Sequence, residues 1–131
     1  MNILVVEDEA IVGMDLESKL IGMGYNVVAV IDNYEEAIKI PLSEQVDLAL
    51  LDINIHGERS GVDIAKHFRS EFDIPCIFLT AFSSNSIINK AKEVGAYGYV
   101  LKPFVKKDLY TVIEIAQSKS SSLARVYIKN Q

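Results

Sequence analysis

Only one cysteine, Cys76, occurs in the 131 residues, so no disulfide can close within the chain. It lies inside an apolar run, where a lone thiol reads as a small buried hydrophobe. Histidines number two, with no pair at metal spacing, and there is no second cysteine, so a zinc site has no ligand set. Basic charge is in deficit: the net charge of −5 argues against nucleic acid as a direct partner, because phosphate binding wants a basic face. Long apolar runs are missing too, and none approaches the roughly 18 residues that a spanning helix needs. No signal peptide is expected, since Met1 leads almost directly into a short apolar run. The expectation is a soluble, cytoplasmic protein without a membrane partner, which leaves protein partners open.

What is present fits one ordinary domain. Half the residues are hydrophobic, a quarter are charged and three are proline. At this length roughly two thirds of the unfolded surface can be buried, so no structural metal is required. Five short apolar runs recur at Ile3–Val6, Val27–Ile31, Leu48–Leu51, Ile77–Leu79 and Tyr99–Leu101.

The segments between the runs have helical spacing. Val12, Leu16, Leu20 and Met23 form one face, and Gly24 follows as a left-handed stop. Asn33 with Glu36, and Ser60 with Asp63, have the spacing of capping boxes, and Pro41 is expected to limit the second helix. Ile64, Ala65 and Phe68 make the stripe of the third segment. Ser83 or Ser84 caps a fourth, carrying Ile87, Ile88, Ala91 and Val94 and closed by Gly95. The last begins near Lys106 with Leu109, Val112, Ile113 and Ala116.

Strand and helix thus alternate five times, at intervals of roughly 20 to 28 residues, which matches right-handed βαβ crossovers. The predicted fold is α/β, a doubly wound parallel sheet with helices on both faces and the first strand near its middle. The run before Asp52 is too short for a helix but suits a strand covered on both sides. In such sheets ligands meet the carboxyl ends of the strands.

Those ends carry a distinctive set. The first run ends in Glu7-Asp8-Glu9, the third in Asp52, the fourth in Thr80 and the fifth in Lys102-Pro103. Brought to one edge, Glu7, Asp8 and Asp52 crowd three negative charges that repel by roughly 1 kcal/mol per pair even in water. Such a cluster calls for cations or protons. Lys102 supplies one, and with only oxygen ligands on offer a hard Mg²⁺ ion fits as the other. Asp8 and Asp52 would ligate directly, with Asn54 offering a backbone carbonyl. Each residue alone has an ordinary explanation: a helix start, a turn former, a loop cap or a solvated charge. Together at four strand ends they specify a site.

Leu4-Val5-Val6-Glu7-Asp8-Glu9, Leu50-Leu51-Asp52, Phe78-Leu79-Thr80-Ala81 and Gly98-Tyr99-Val100-Leu101-Lys102-Pro103-Phe104 resemble the receiver domain of two-component response regulators, over roughly residues 2 to 118. The resemblance implies a flavodoxin-like five-stranded sheet of order 2-1-3-4-5. It implies a phosphoacceptor that takes a phosphoryl group from the phosphohistidine of a sensor histidine kinase or phosphotransfer protein, with Mg²⁺ bound. Asp52 corresponds to the acceptor, Asp8 to a direct metal ligand and Glu7 to the acidic residue that acts through a metal-bound water. Thr80 corresponds to the hydroxyl that meets the phosphoryl group, Lys102 to the cation on a phosphoryl oxygen, and Tyr99 to the aromatic that turns inward with Thr80. The bond from Lys102 to Pro103 is cis in most relatives. Such a domain is no conventional enzyme; it catalyses its own phosphorylation and autodephosphorylation at Asp52. Relatives often dimerise through the face of the fourth helix, fifth strand and fifth helix, where Tyr97, Lys106 and Tyr110 fall.

The sequence departs from the family in the loop after the acceptor, where Ile55-His56-Gly57-Glu58-Arg59-Ser60 intervenes and Gly61 comes nine residues after Asp52. Glu7 is longer than the common aspartate. Phe82, two residues past Thr80, is placed to restrict hydrolytic water. His56 reads as an exposed loop residue and His67 as structural or exposed; neither marks a phosphodonor helix. Residues 1–120 read as the receiver. Residues 121–131 read as a tail or the start of a linker, with serine-rich 118–122 linker-like and Val126-Tyr127-Ile128 of β propensity.

Three other readings compete. A haloacid-dehalogenase-like phosphatase wants Asp-x-Asp after its first strand, and Asp52-Ile53-Asn54 lacks the second aspartate. A flavodoxin-like cofactor carrier wants a phosphate cradle where Glu7-Asp8-Glu9 stands. A docking receiver that is never phosphorylated shares the fold, and the complete set of acceptor, metal, hydroxyl and lysine positions argues against it.

Overall fold

A computed structural model describes residues 1–55, 57–81 and 85–129, and the side chains of these apart from 87, 88 and 119–129. Five strands, β1 (Asn2–Val6), β2 (Asn26–Ile31), β3 (Leu48–Asp52), β4 (Cys76–Thr80) and β5 (Gly98–Leu101), form one sheet in the order β2-β1-β3-β4-β5. Every neighbouring pair is parallel. This is the doubly wound arrangement expected.

Alternation along each strand divides the core. Leu4, Val6, Ala49, Leu51 and Phe78 face one side, where α4 (Gly61–Phe72) supplies Ile64, Ala65 and Phe68. Ile3, Val5, Leu48, Leu50, Ile77 and Leu79 face the other. There Leu16 and Leu20 of α1 (Ala10–Gly22) meet Leu109, Ile113 and Ala116 of α6 (Lys106–Lys129). β3 and β4 are buried at every residue, which explains their lack of polar alternation. Cys76 lies within the first core, and burial pushes its thiol up to about 12.

Local signals mostly act as expected. Gly24 after α1 is left-handed, with φ +92°. Ser60 and Asp63 form a reciprocal capping box, with the Asp63 carboxylate accepting from the Ser60 N–H at 2.8 Å. Asn33 Oδ1 accepts from the Glu36 N–H at 2.9 Å.

The second helical segment differs. It breaks into α2 (Tyr34–Ala37) and α3 (Ile40–Ser43), with Pro41 in the first turn of the second piece. Pro41 has no N–H to offer the carbonyl of Ala37, so the first helix stops and a new one starts around the proline. A fourth long segment follows as α5 (Asn85–Glu93), with Ala91 and Val94 in the core. Its expected caps, Ser83 and Ser84, and the side chains of Ile87 and Ile88 lie outside what is described.

The end of the chain is helical: α6 continues through residues 118–122 and Val126-Tyr127-Ile128 to Lys129. A helix already nucleated on the sheet propagates at little cost through serine, alanine and lysine, whereas an isolated strand would need a partner edge. The boundary expected after residue 120 therefore falls inside a helix of about 36 Å.

Candidate phosphoacceptor site

Strand register builds the site. Val6 pairs with Leu51, Asp52 with Leu79, and Thr80 with Leu101, so the residues ending β1, β3, β4 and β5 come level on one edge. The Lys102 N–H donates to the Thr80 carbonyl at 2.8 Å, and the Ile53 N–H to that of Leu79 at 3.2 Å, carrying the register one step past the strands.

Three polar side chains are buried there: Glu7 is 2% exposed, Asp52 5% and Thr80 2%. Burial of charge demands compensation. Lys102 Nζ provides it, donating to Glu7 Oε1 at 2.9 Å and Oε2 at 3.2 Å and to Asp52 Oδ2 at 2.9 Å. The other acceptor oxygen, Asp52 Oδ1, takes the backbone N–H of Asn54 at 3.0 Å. The Lys102–Pro103 peptide is cis, as the resemblance implies.

One ammonium is shared by two buried carboxylates, Glu7 and Asp52. Burial, and then the adjoining Asp52 carboxylate, push Glu7 up to about 8 even though Lys102 pulls the other way. Burial lowers the pKa of Lys102, but bonds to Asp52 and Glu7 outweigh it, so the ammonium is held charged above its usual range. Without a further cation, Glu7 is driven toward its protonated form. A proton, one of the two means of relief that the sequence allows, is thus drawn to Glu7 in particular.

Glu7, Asp8 and Asp52 each offer an oxygen, and these oxygens lie within 4.8 Å of one another. An all-oxygen set of carboxylates fits a small hard divalent cation.

The comparisons agree with this geometry. Residues 3–114 match the family model of the response regulator receiver domain. The chain belongs to that family.

Among curated relatives, this receiver is 35% identical over 118 residues to the transcriptional regulatory protein PdtaR of Mycobacterium tuberculosis, covering 90% of this chain and 57% of that protein. It is 34% identical to the phyllosphere-induced regulator PhyR of Methylorubrum extorquens, covering 88% and 43%. The chain thus spans about half the length of the curated relatives it matches. Among solved structures it is similar to the signal receiver domain of a modulated diguanylate cyclase from Desulfovibrio desulfuricans (TM-score 0.85, 33% identity, 92% and 95% of the two chains). It is also similar to chemotaxis protein CheY4 of Vibrio cholerae (0.79, 25%, 86% and 95%).

Within the receiver, Tyr99 is half-buried, pairs with Phe78 and packs on the first core, one strand from Thr80. The side chain of Asn54 is exposed, and its backbone is what meets Asp52. His67 is half-buried, its ring steeply inclined to that of Phe72 with centroids 5.9 Å apart. His56 and Phe82 lie outside the described residues. Because the second segment is split, the expected dimer face becomes α5, β5 and α6. On it Tyr110 and Lys106 are exposed, whereas Tyr97 lies under the Arg69 guanidinium at 5.2 Å.

Sequence reasoning missed two contacts. A Cβ on Gly61 would stand 2.0 Å from the carbonyl oxygen of Asp52, so the first turn of α4 rests directly on the Asp52 backbone. The signal in the sequence is a glycine between a serine cap and an apolar stripe. The second is a stack of Arg59 on Tyr34, for which the sequence held no cue. Among the described residues no helix is long and apolar enough to cross a membrane.

Proposed function

We propose that this receiver is the phosphoacceptor of a two-component phosphorelay, taking a phosphoryl group onto Asp52 from the phosphohistidine of a sensor kinase or phosphotransfer protein. The observation that carries the reading is Lys102 Nζ bonded to both Glu7 and Asp52, beside carboxylate oxygens gathered within 4.8 Å.

Phosphoryl transfer asks a protein mainly for position and charge neutralisation. An Asp52 carboxylate oxygen attacks phosphorus. The P–N bond breaks, its electron pair returns to the imidazole, which takes up a proton, and an acyl phosphate is left. Lys102 stays within reach of the new group through its 2.9 Å bond to Asp52. Thr80, at the end of the adjacent strand, offers its hydroxyl. Asp8 and Asp52 would hold Mg²⁺ directly, Asn54 through its backbone carbonyl and Glu7 through water. Bound there, the ion supplies positive charge to the transferring phosphoryl oxygens. Autodephosphorylation reverses the bond: water attacks phosphorus, the acyl O–P bond breaks, and the Asp52 carboxylate returns.

The donor must reach this edge past apolar surface. Ile11 is 83% exposed and Met14 68%, and Ile11 and Val12 share a groove with Lys102, Pro103 and Phe104. A helix bearing the phosphohistidine docks there in this reading. The added charge then draws Thr80 inward, Tyr99 follows, and the α5–β5–α6 face changes its affinity for a partner or a second copy.

Incubation with acetyl phosphate and Mg²⁺, followed by intact mass, tests the proposal. The wild type should gain the mass of one phosphoryl group and Asp52→Asn none. A wild type that gains nothing would leave a docking receiver without phosphorylation.

A further inference from the structure

The connection from β3 to α4 starts at the acceptor and is anchored at both ends. Near the site, the Asn54 N–H donates to Asp52 Oδ1 at 3.0 Å, and Ile55 is buried in the first core. Gly57 turns the chain with φ +106°, a conformation that side chains disfavour. At the far end the Arg59 guanidinium lies over the Tyr34 ring, 4.8 Å from its centroid, and Nη1 donates to the Tyr34 hydroxyl at 3.4 Å. Tyr34 opens α2 and packs half-buried on the core, so the ring is a fixed platform.

We propose that Arg59 is a positioning residue for the chemistry at Asp52: seated on Tyr34, it holds the loop that brings the Asn54 backbone to the acceptor. The inference rests on the reading of Asp52 as a phosphoacceptor with a divalent ion. An exposed loop gains entropy when released, and a distant anchor opposes that release. A cation–π contact at an exposed position changes such an equilibrium by about two- to fivefold. The same factor should appear wherever the Asn54 backbone matters. The ring face carries the contact, because the bond to the hydroxyl is long for a hydrogen bond.

The test uses the full chain with Arg59→Ala, Tyr34→Leu, the double variant, Arg59→Lys and Tyr34→Phe. Hydrogen exchange of the Asn54 amide is measured without metal, Mg²⁺ alone is titrated by NMR, and acetyl phosphate transfer is followed by intact mass. Arg59→Ala and Tyr34→Leu should each speed Asn54 exchange and weaken Mg²⁺ binding about two- to fivefold, and the double variant no further. Arg59→Lys keeps the cation and Tyr34→Phe the ring, so both should stay near wild type. Unchanged single variants, effects that multiply in the double variant, or equal acceleration at the β1 amides would overturn the proposal. A wild type that takes no phosphate defeats the acceptor reading instead, while Asn54 exchange still decides whether Arg59 holds the loop.

Discussion

Replacing Gly61 with alanine should damage the fold and the acceptor together. The new Cβ would sit 2.0 Å from the Asp52 carbonyl oxygen, 2.9 Å from its carbonyl carbon and 3.1 Å from Ile53 Cα. All three are backbone atoms at the end of a fully buried strand, so no flexible side chain can yield. Ordinary contact begins near 3.4 Å, leaving a shortfall of about 1.4 Å at the oxygen. Gly61 has no left-handed φ, so the penalty is one of space. Overpacking typically costs about 1–3 kcal/mol, and a rigid backbone neighbour places this case at about 3. Alanine returns about 0.4–1 kcal/mol by restricting the unfolded chain. The net loss is about 2–3 kcal/mol, or roughly 10 °C in Tm for a domain of this size.

Urea unfolding measures the loss, and acetyl phosphate transfer measures the site. Gly57→Ala is the control: its Cβ meets nothing within 4 Å among the described residues, but its φ of +106° is strained. That variant should lose about 1 kcal/mol. A Gly61→Ala protein within about 0.5 kcal/mol of wild type would refute the close approach. Normal stability combined with slow transfer would show that α4 shifts at no cost, which also contradicts it.

Three further outcomes follow from the same geometry. Glu7 holds its proton to about pH 8 when folded, against 4.5 when unfolded. Its contribution to the stability of the metal-free protein is therefore full below pH 4.5 and is lost as pH rises toward 8; urea titrations should show that slope in wild type and lose it in Glu7→Gln. Ile11→Asp should slow transfer from a phosphohistidine protein at least severalfold and leave transfer from acetyl phosphate unchanged, and equal effects on both donors would remove Ile11 from the docking face. Cys76, pushed from 9.0 to about 12, should react with a thiol reagent at pH 8 about a thousandfold more slowly than the same chain in urea; rapid labelling of the native protein would refute its burial.

The sequence made the sheet legible because β3 and β4 are covered on both faces and read as unbroken apolar runs. It made the site legible because parallel register delivers strand ends to one edge: Glu7, Asp8, Asp52, Thr80 and Lys102 needed no knowledge of the loops. Where tertiary contacts decide, the reading failed. Pro41 was seen as an end when it also begins a helix, and the helical continuation through 119–129 runs against the local composition. Arg59 and Tyr34 are 25 residues apart, and nothing in either neighbourhood foretells their meeting.

Which carboxylate draws the proton is not legible in the sequence, because that is a property of burial rather than of residue type. In the sequence, Glu7, Asp8 and Asp52 are three negative charges and Lys102 one positive. In the fold, Glu7 and Asp52 share a single ammonium out of water, and without a further cation Glu7 is driven toward its protonated form. A divalent ion and a proton then compete to relieve the same crowding. Metal should bind with release of that proton, and its affinity should rise with pH until Glu7 is ionised. Lys102 Nζ meets both oxygens of Glu7, which ties the lysine to the end of β1 as well as to Asp52.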